Sequence, residues 1–427
     1  MEATAASHHI PTNLTTLTAK LPPKKTQFLN FTSCSPKKIT LFCSTKPNTN
    51  NQEATDETNP TSDSHPNSTI QSKSAPIPSL QLSSSSSFSR GLIFDLGVKN
   101  SWDNLEIGSP VVKRYLGDEE ERWYMWYHGR CSELDSVGLA ASSNGIHWER
   151  GAEGVRSNAD VGLVMSNSKD WWAFDTHGVR PCEVVVMSSA KVRTNSAVYW
   201  LYYTGFCSTD SPKSLPGLAM SQDGRHWARI EGEHHSGALL DVGAKGEWDS
   251  TFIASPQVVF HGSGDLRMYY HSFDVETGRY AVGIARSRDG MRWMKLGRIL
   301  SAGPNGAFDE GGVLNPHVLR DRRDGKYVMV YEGVGGERRS IGVAESLDGL
   351  KEWRRVGEGP VIEEECGGGG WDSEGVGSPC LVQMDGEAEQ WRLYYTGVGR
   401  GGKTGIGLAV SQGTQLDKFQ RWTGFIL

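Results

Sequence analysis

The sequence of 427 residues contains no apolar run of about 18 residues, which excludes a helical membrane span. Cysteine is sparse. Cys34, Cys43, Cys131, Cys182, Cys207, Cys366 and Cys380 are scattered, odd in number and never spaced CxxC. A disulfide framework and a zinc ribbon are therefore not expected, and buried structural thiols in a reducing compartment are. No long basic stripe occurs and the net charge is −6, so a nucleic-acid footprint is not expected. No His/Cys/Asp/Glu cluster has metal-ligand spacing, so neither a metal nor another cofactor is expected. Helical periodicity is also missing from the aromatic-rich part of the chain. What remains is a glycine-punctuated, aromatic sequence with 51 Gly, 14 Trp, 13 Tyr and 13 Phe, suited to an all-β protein.

The first ninety residues are a different material. Between Met1 and Gln52 the only acidic residue is Glu2, against Lys20, Lys24, Lys25, Lys37, Lys38 and Lys46. Rich in Ser and Thr and poor in acid and Arg, residues 1–45 read as a chloroplast transit peptide, with a processing site near Ile39–Ser44 and the stroma as destination. A disordered N terminus with no targeting role is the alternative. Residues 46–90 end in the run Ser83–Ser87 and read as a disordered Ser-rich linker.

From residue 91 to 427 one pattern recurs five times. Each repeat starts with an aromatic-Asp pair: Trp102-Asp103, Phe174-Asp175, Trp248-Asp249, Phe308-Asp309 and Trp371-Asp372. Pro110, Pro181, Pro256, Pro316 and Pro379 then open an apolar strand. A second strand ends in a recurring tyrosine: Tyr127, Tyr203, Tyr270, Tyr331 and Tyr395. A third, built of small residues, centres on Gly138, Gly217, Gly283, Gly342 and Gly407. Asn144-Gly145, Asp223-Gly224, Asp289-Gly290 and Asp348-Gly349 mark the hairpins into a fourth strand that carries a tryptophan. Four antiparallel strands repeated five times predict a five-bladed β-propeller; two sandwiches in series would not need the same sequence five times.

The aromatic-Asp openings, the Tyr-Met-Trp-Tyr-like second strands and the hairpins Ser221–Trp227 and Ser287–Trp293 resemble the five-bladed glycoside hydrolases of families 43, 32, 68 and 130, which include arabinanases, invertases and levansucrases. The resemblance spans nearly all of residues 91–427. It implies an axial funnel on the face where the innermost strands begin, with acidic residues from successive blades pointing in. Family 43 implies an Asp base from blade one, a pKa-tuning Asp from blade two and a Glu acid from blade three. Asp103 or Glu106, Asp175 and Asp249 stand nearest those places. Phe252–Pro256 holds no carboxylate where the blade-three Glu would be, and blade one lacks the family 32 Asn-Asp-Pro-Asn-Gly opening.

Hydrolysis of a glycoside needs two carboxyl groups with separated pKa values. Asp103, Asp175 and Asp249 are candidates, although an Asp recurring in every blade also suits a repeated turn-capping task. Positions that break the repeat are more informative. The residue after the recurring tyrosine is His128, Thr204, His271, Glu332 or Thr396, at the funnel end of the second strand. Glu332 is the strongest single acid or base candidate there, and an Arg-paired rim carboxylate is its bland counterpart. His128 and His271 suit sugar hydroxyls or the edge of the core. Arg180, Glu310, His317 and Glu374 are further substrate-binding candidates, and the fork of Arg180 suits a carboxylate or phosphate on the ligand. Trp171 and Trp172 suit blade packing or stacking on a sugar ring. Two functions stay open: a stromal propeller that binds a carbohydrate or sugar derivative, with or without hydrolysing it, and a non-catalytic propeller that binds a protein or metabolite.

Overall fold

The computed structural model describes residues 90–116, 121–187, 198–207, 213–365, 370–385 and 389–424. The transit-peptide and linker expectations for residues 1–89 lie outside the described residues. Strand β1 (Leu92–Phe94) precedes five sets of four strands. The first is β2 (Glu106–Leu116), β3 (Glu121–Arg130), β4 (Ser136–Ser142) and β5 (Gly162–Met165). The second is β6 (Val179–Met187), β7 (Val198–Phe206), β8 (Ser214–Ser221) and β9 (Ala228–Ile230). The third is β10 (Ala254–Gly262), β11 (Asp265–Asp274), β12 (Arg279–Ser287) and β13 (Met294–Leu300). The fourth is β14 (Gly312–Arg320), β15 (Tyr327–Gly335), β16 (Arg338–Ser346) and β17 (Arg354–Arg355). A last set follows, β18 (Gly375–Gln383), β19 (Trp391–Val398), β20 (Thr404–Ser411) and β21 (Phe419–Arg421). Within each set consecutive strands pair antiparallel, and β1 also pairs with β20, so residues from both ends of this region edge the last sheet.

This is an all-β propeller. The inner strands pack in a cycle, β2 on β6, β6 on β10, β10 on β14, β14 on β18, and β18 back on β2. The apolar core is divided accordingly into clusters that each join two neighbouring sets. Trp126, Leu139 and Val184 join the first to the second. Trp123, Tyr127, Cys380 and Leu408 join the last to the first. Trp123 and Trp126 are fully buried on opposite faces of β3. Alternation along that strand thus supplies one large ring to each neighbour, and burying a side chain of this size stabilises by roughly 3 kcal/mol. A single sheet would leave both faces wet, which is why the pattern must repeat.

Two devices lock neighbours together. At the hairpins, Gly145, Gly224, Gly290 and Gly349 take φ near +70°, a region that glycine enters without steric cost. Their carbonyls accept bonds from the preceding set: Trp126 Nε1 to Gly224 (2.9 Å), Tyr202 to Gly290 (3.1 Å), Tyr269 to Gly349 (2.8 Å) and Tyr394 to Gly145 (2.9 Å). The second device sits at the prolines. These do not open the inner strands as the sequence suggests; each strand starts two to four residues earlier. The prolines lie at β-bulges, where the register slips between Gly108 and Val111, Pro181 and Glu183, Ala254 and Gln257, Leu314 and His317, and Gly377 and Cys380. A residue without an N–H fits a position where ladder bonding is interrupted.

Candidate functional site

The bulges build the site. In four sets the residue before the proline is left-handed although it is not glycine: Ser109 (φ 47°), Ser255 (φ 53°), Asn315 (φ 48°) and Ser378 (φ 45°). Such strained backbone persists only where its surroundings hold it. Each N–H here is held by the preceding set. Thr396 Oγ1 accepts from Ser109 (3.0 Å), Thr204 Oγ1 from Ser255 (2.9 Å), His271 Nδ1 from Asn315 (3.2 Å) and Glu332 Oε2 from Ser378 (2.9 Å). After four of the five recurring tyrosines the varied residue is thus an acceptor in a clasp to the next set, and Thr, neutral His and Glu all qualify. The second set departs from this rule. Arg180 stands before Pro181 with no left-handed backbone, and its bulge falls one residue later.

Around these bulges the inner-strand starts of all five sets enclose a cavity of about 340 Å³. Arg180, His271, His317 and Arg339 are its ionisable nitrogen groups, and Ser109, Ser255, Asn315 and Ser378 supply polar rims. Among the described residues no Asp or Glu lines it. The carboxylates lie behind the arginines. Asp135 accepts from Arg180 Nε at 2.5 Å, and Glu106 lies 3.6 Å from Arg180 Nη2. Glu332 pairs with Arg339 and accepts from Asn315 Nδ2 at 2.7 Å. Arg180 and its neighbours hold the Asp135 carboxyl below its usual range against the cost of burial.

Asp103, Asp175 and Asp249 do not line this cavity. They belong to a fivefold arrangement of buried Asp, tyrosine hydroxyl and cation. Tyr127, Tyr203, Tyr270, Tyr331 and Tyr395 donate to Asp103, Asp175, Asp249, Asp309 and Asp372 at 2.8, 3.1, 3.0, 3.0 and 3.0 Å. Arg150, Arg229, Lys295, Arg355 and Arg421 stand at 3.5, 2.7, 2.8, 2.6 and 2.9 Å from the same carboxylates. The turn before each inner strand is pinned in this way to the second strand and, in all sets but the first, to the fourth; Arg150 of the first set lies ahead of β5.

The remaining candidates divide. His271 and His317 line the cavity; burial pushes each down to about 3, with Arg339 and Lys113 adding to the effect, so both are neutral. His128 is buried outside the lining, 3.2 Å from Glu106, and burial followed by the Arg180 charge takes it to about 3 as well. Glu332 is buried at the wall, its oxygens occupied as described. Glu310 accepts the Gly306 N–H (2.7 Å) in its own loop, and Glu374 is exposed; neither lines the cavity. Trp171 is 90% exposed, so it does not pack between sheets as its type suggested.

Arg339 was missed. It stands three residues before Gly342, where the other sets place Asp135, Ser214, Tyr280 and Thr404. Ser214 and Tyr280 also line the cavity, Asp135 holds Arg180, and Thr404 accepts the Ile107 N–H at 2.8 Å. Variation at that one repeat position was the available signal. His317 also lines a second cavity of about 400 Å³, together with Lys113, Glu183 and Gln257. Glu183 pairs with Lys113, accepts from Gln257 Nε2 (2.8 Å) and lies 3.9 Å from His317. Cys182 and Cys380 are pushed up to about 12 by burial, so both are inert thiols.

No known family model matches the chain. The protein Rv1502 of Mycobacterium tuberculosis is 33% identical over 329 residues, which cover 75% of this chain and 97% of Rv1502. Among solved structures, BT0996 in its RGII complex superimposes with a TM-score of 0.57 at 18% identity, over 78% of this chain and 94% of that one. A thermostable family-43 glycoside hydrolase gives 0.54 at 17% identity, over 75% and 93%. These two likenesses are likenesses of fold. Among the described residues no helix is long and apolar enough to cross a membrane.

Proposed function

Because the chain belongs to the family of the mycobacterial protein Rv1502 and has the propeller fold of glycoside hydrolases, we propose that it is a carbohydrate-recognising propeller which binds a sugar or sugar derivative in its axial cavity. The five sets are read as five blades around that cavity. The observation that carries the proposal is that all of them contribute bulge residues, four of these strained and clasped, to one cavity that sets polar groups among apolar ones. Its volume of about 340 Å³ falls at the lower end of the ligand-pocket range of roughly 300–1,000 Å³, the size of a small saccharide. Recognition is favoured over hydrolysis, since a carboxyl pair flanking an open pocket has no counterpart among the lining residues. The acid-poor, hydroxylated N-terminal segment supports the plastid stroma as the setting.

The test is calorimetric titration of the full chain with neutral, amino, uronic and phosphorylated mono- and disaccharides. At least one is expected to bind with a Kd below about 1 mM, and Ala254→Trp, which fills the cavity from β10, is expected to abolish binding while circular dichroism stays native. Absence of binding across the panel, or binding that Ala254→Trp leaves intact, would sink the proposal.

A further inference from the structure

The hydrogen-bonding inventory of the cavity is lopsided. Arg180 and Arg339 each present a guanidinium, on side chains 34% and 48% exposed. The carboxylates that hold them are far less accessible: 8% for Asp135 and 4% for Glu332. Asp135 takes the Nε of Arg180, with Glu106 3.6 Å from its Nη2, and Glu332 takes Nη1 of Arg339, while both arginines also line the cavity. His271 uses Nδ1 as an acceptor toward Asn315, which puts its proton on Nε2 and makes that edge a donor. The Asn315 amide is committed: Oδ1 accepts the Ser255 hydroxyl at 2.6 Å, while Nδ2 donates to Glu332, so the side-chain acceptors left are the lining hydroxyls, which also donate. The main-chain N–H groups of the left-handed residues are likewise taken by the clasps. What faces the cavity is therefore donor-rich, cationic at two points and free of carboxylate.

A neutral sugar offers hydroxyls that both donate and accept, so it would leave its own donors under-served here. A carboxylate or phosphate group accepts only, and a pre-oriented planar fork matches its geometry. Resting on the carbohydrate reading, we propose that the ligand carries an oxyanion, a carboxylate or a phosphate, and that Arg180 and Arg339 grip it. The carboxylates behind orient the arginines and temper their charge, so the grip discriminates by geometry as much as by attraction.

Matched ligand pairs test this on the full chain: hexuronates against their methyl esters, and hexose phosphates against the parent hexoses, with inorganic phosphate alone as a third probe. The anionic member of at least one pair is expected to bind at least tenfold more tightly, with affinity that falls as salt rises. Preference for uronates or for phosphates identifies the source of the oxyanion. Arg339→Gln and Arg180→Lys are each expected to weaken the anionic ligand about tenfold or more and to narrow its advantage over the neutral partner. Arg339→Lys keeps a charge beside Glu332 and serves should the glutamine variant fail to fold. Neutral partners that bind as tightly as the anions, or anion affinity indifferent to both arginines, would overturn the proposal while the carbohydrate reading stands. Inorganic phosphate bound through the arginines with no saccharide bound would leave the anion site standing and remove the carbohydrate reading. No binding by any probe removes both.

Discussion

Replacing Asp249 by Asn separates a structural carboxylate from a catalytic one. The Asp249 side chain is 3% exposed, accepts the Tyr270 hydroxyl at 3.0 Å and lies 2.8 Å from Lys295 Nζ. Asparagine keeps the shape and one acceptor but removes the charge. A hydrogen bond to a charged group contributes roughly 1.5–3 kcal/mol, and breaking a buried pair costs about 3–5 kcal/mol. The Lys295 side chain is 26% exposed and can swing its ammonium toward water, which places the expected loss near 3 kcal/mol, below the upper figure. Urea denaturation of the parent and the variant reads this as a lowered midpoint with an unchanged slope. Ligand affinity should change less than about twofold, because no atom of Asp249 faces the cavity. The reasoning fails if the variant is as stable as the parent but has lost binding, or has lost a glycosidase turnover that the parent shows. Such a result would mean that Asp249 touches the ligand and that the fivefold Asp–Tyr–cation arrangement is incidental to folding.

Acidification should destabilise the fold well before the carboxylates titrate. His128, His271 and His317 are each held at about 3 by burial, below the ordinary value of 6.5. Between those values the unfolded chain binds protons that the native state refuses, so their stabilising contribution is complete above about pH 6.5 and is lost as pH falls toward 3. The slope is on the order of 1 kcal/mol per pH unit for each histidine, and urea midpoints at about pH 7.5 and 5.5 check it; equal midpoints would refute it. For location, residues 1–90 fused to a fluorescent protein should direct it into plastids, and a diffuse cytosolic signal would remove the stromal assignment.

The repeat architecture was legible in the sequence because each set has the same physical problem. It must turn a hairpin, present large rings to two neighbours and anchor the turn before its inner strand. Asp-Gly pairs, alternating aromatics and an aromatic-Asp pair answer those needs locally, so they recur. The bulges were not legible. A proline after a polar residue reads as the start of a strand, and only the pairing with β3, β7, β11, β15 and β19 reveals that the register slips there.

The site itself was half legible. Arg180 and the acceptors at His271 and Glu332 stood out because they break the repeat. Their meaning did not, since the group each one meets belongs to the next set or to a residue not singled out: the Asn315 N–H for His271, Arg339 and the Ser378 N–H for Glu332. By itself, then, the sequence determined the fold class and the number of repeating units, because strand alternation and turn chemistry act over a few residues. Only the tertiary structure decided which charged groups face the cavity and which stand behind it, because that follows from the closing of the ring, which brings Arg339 to the cavity that Arg180 also lines.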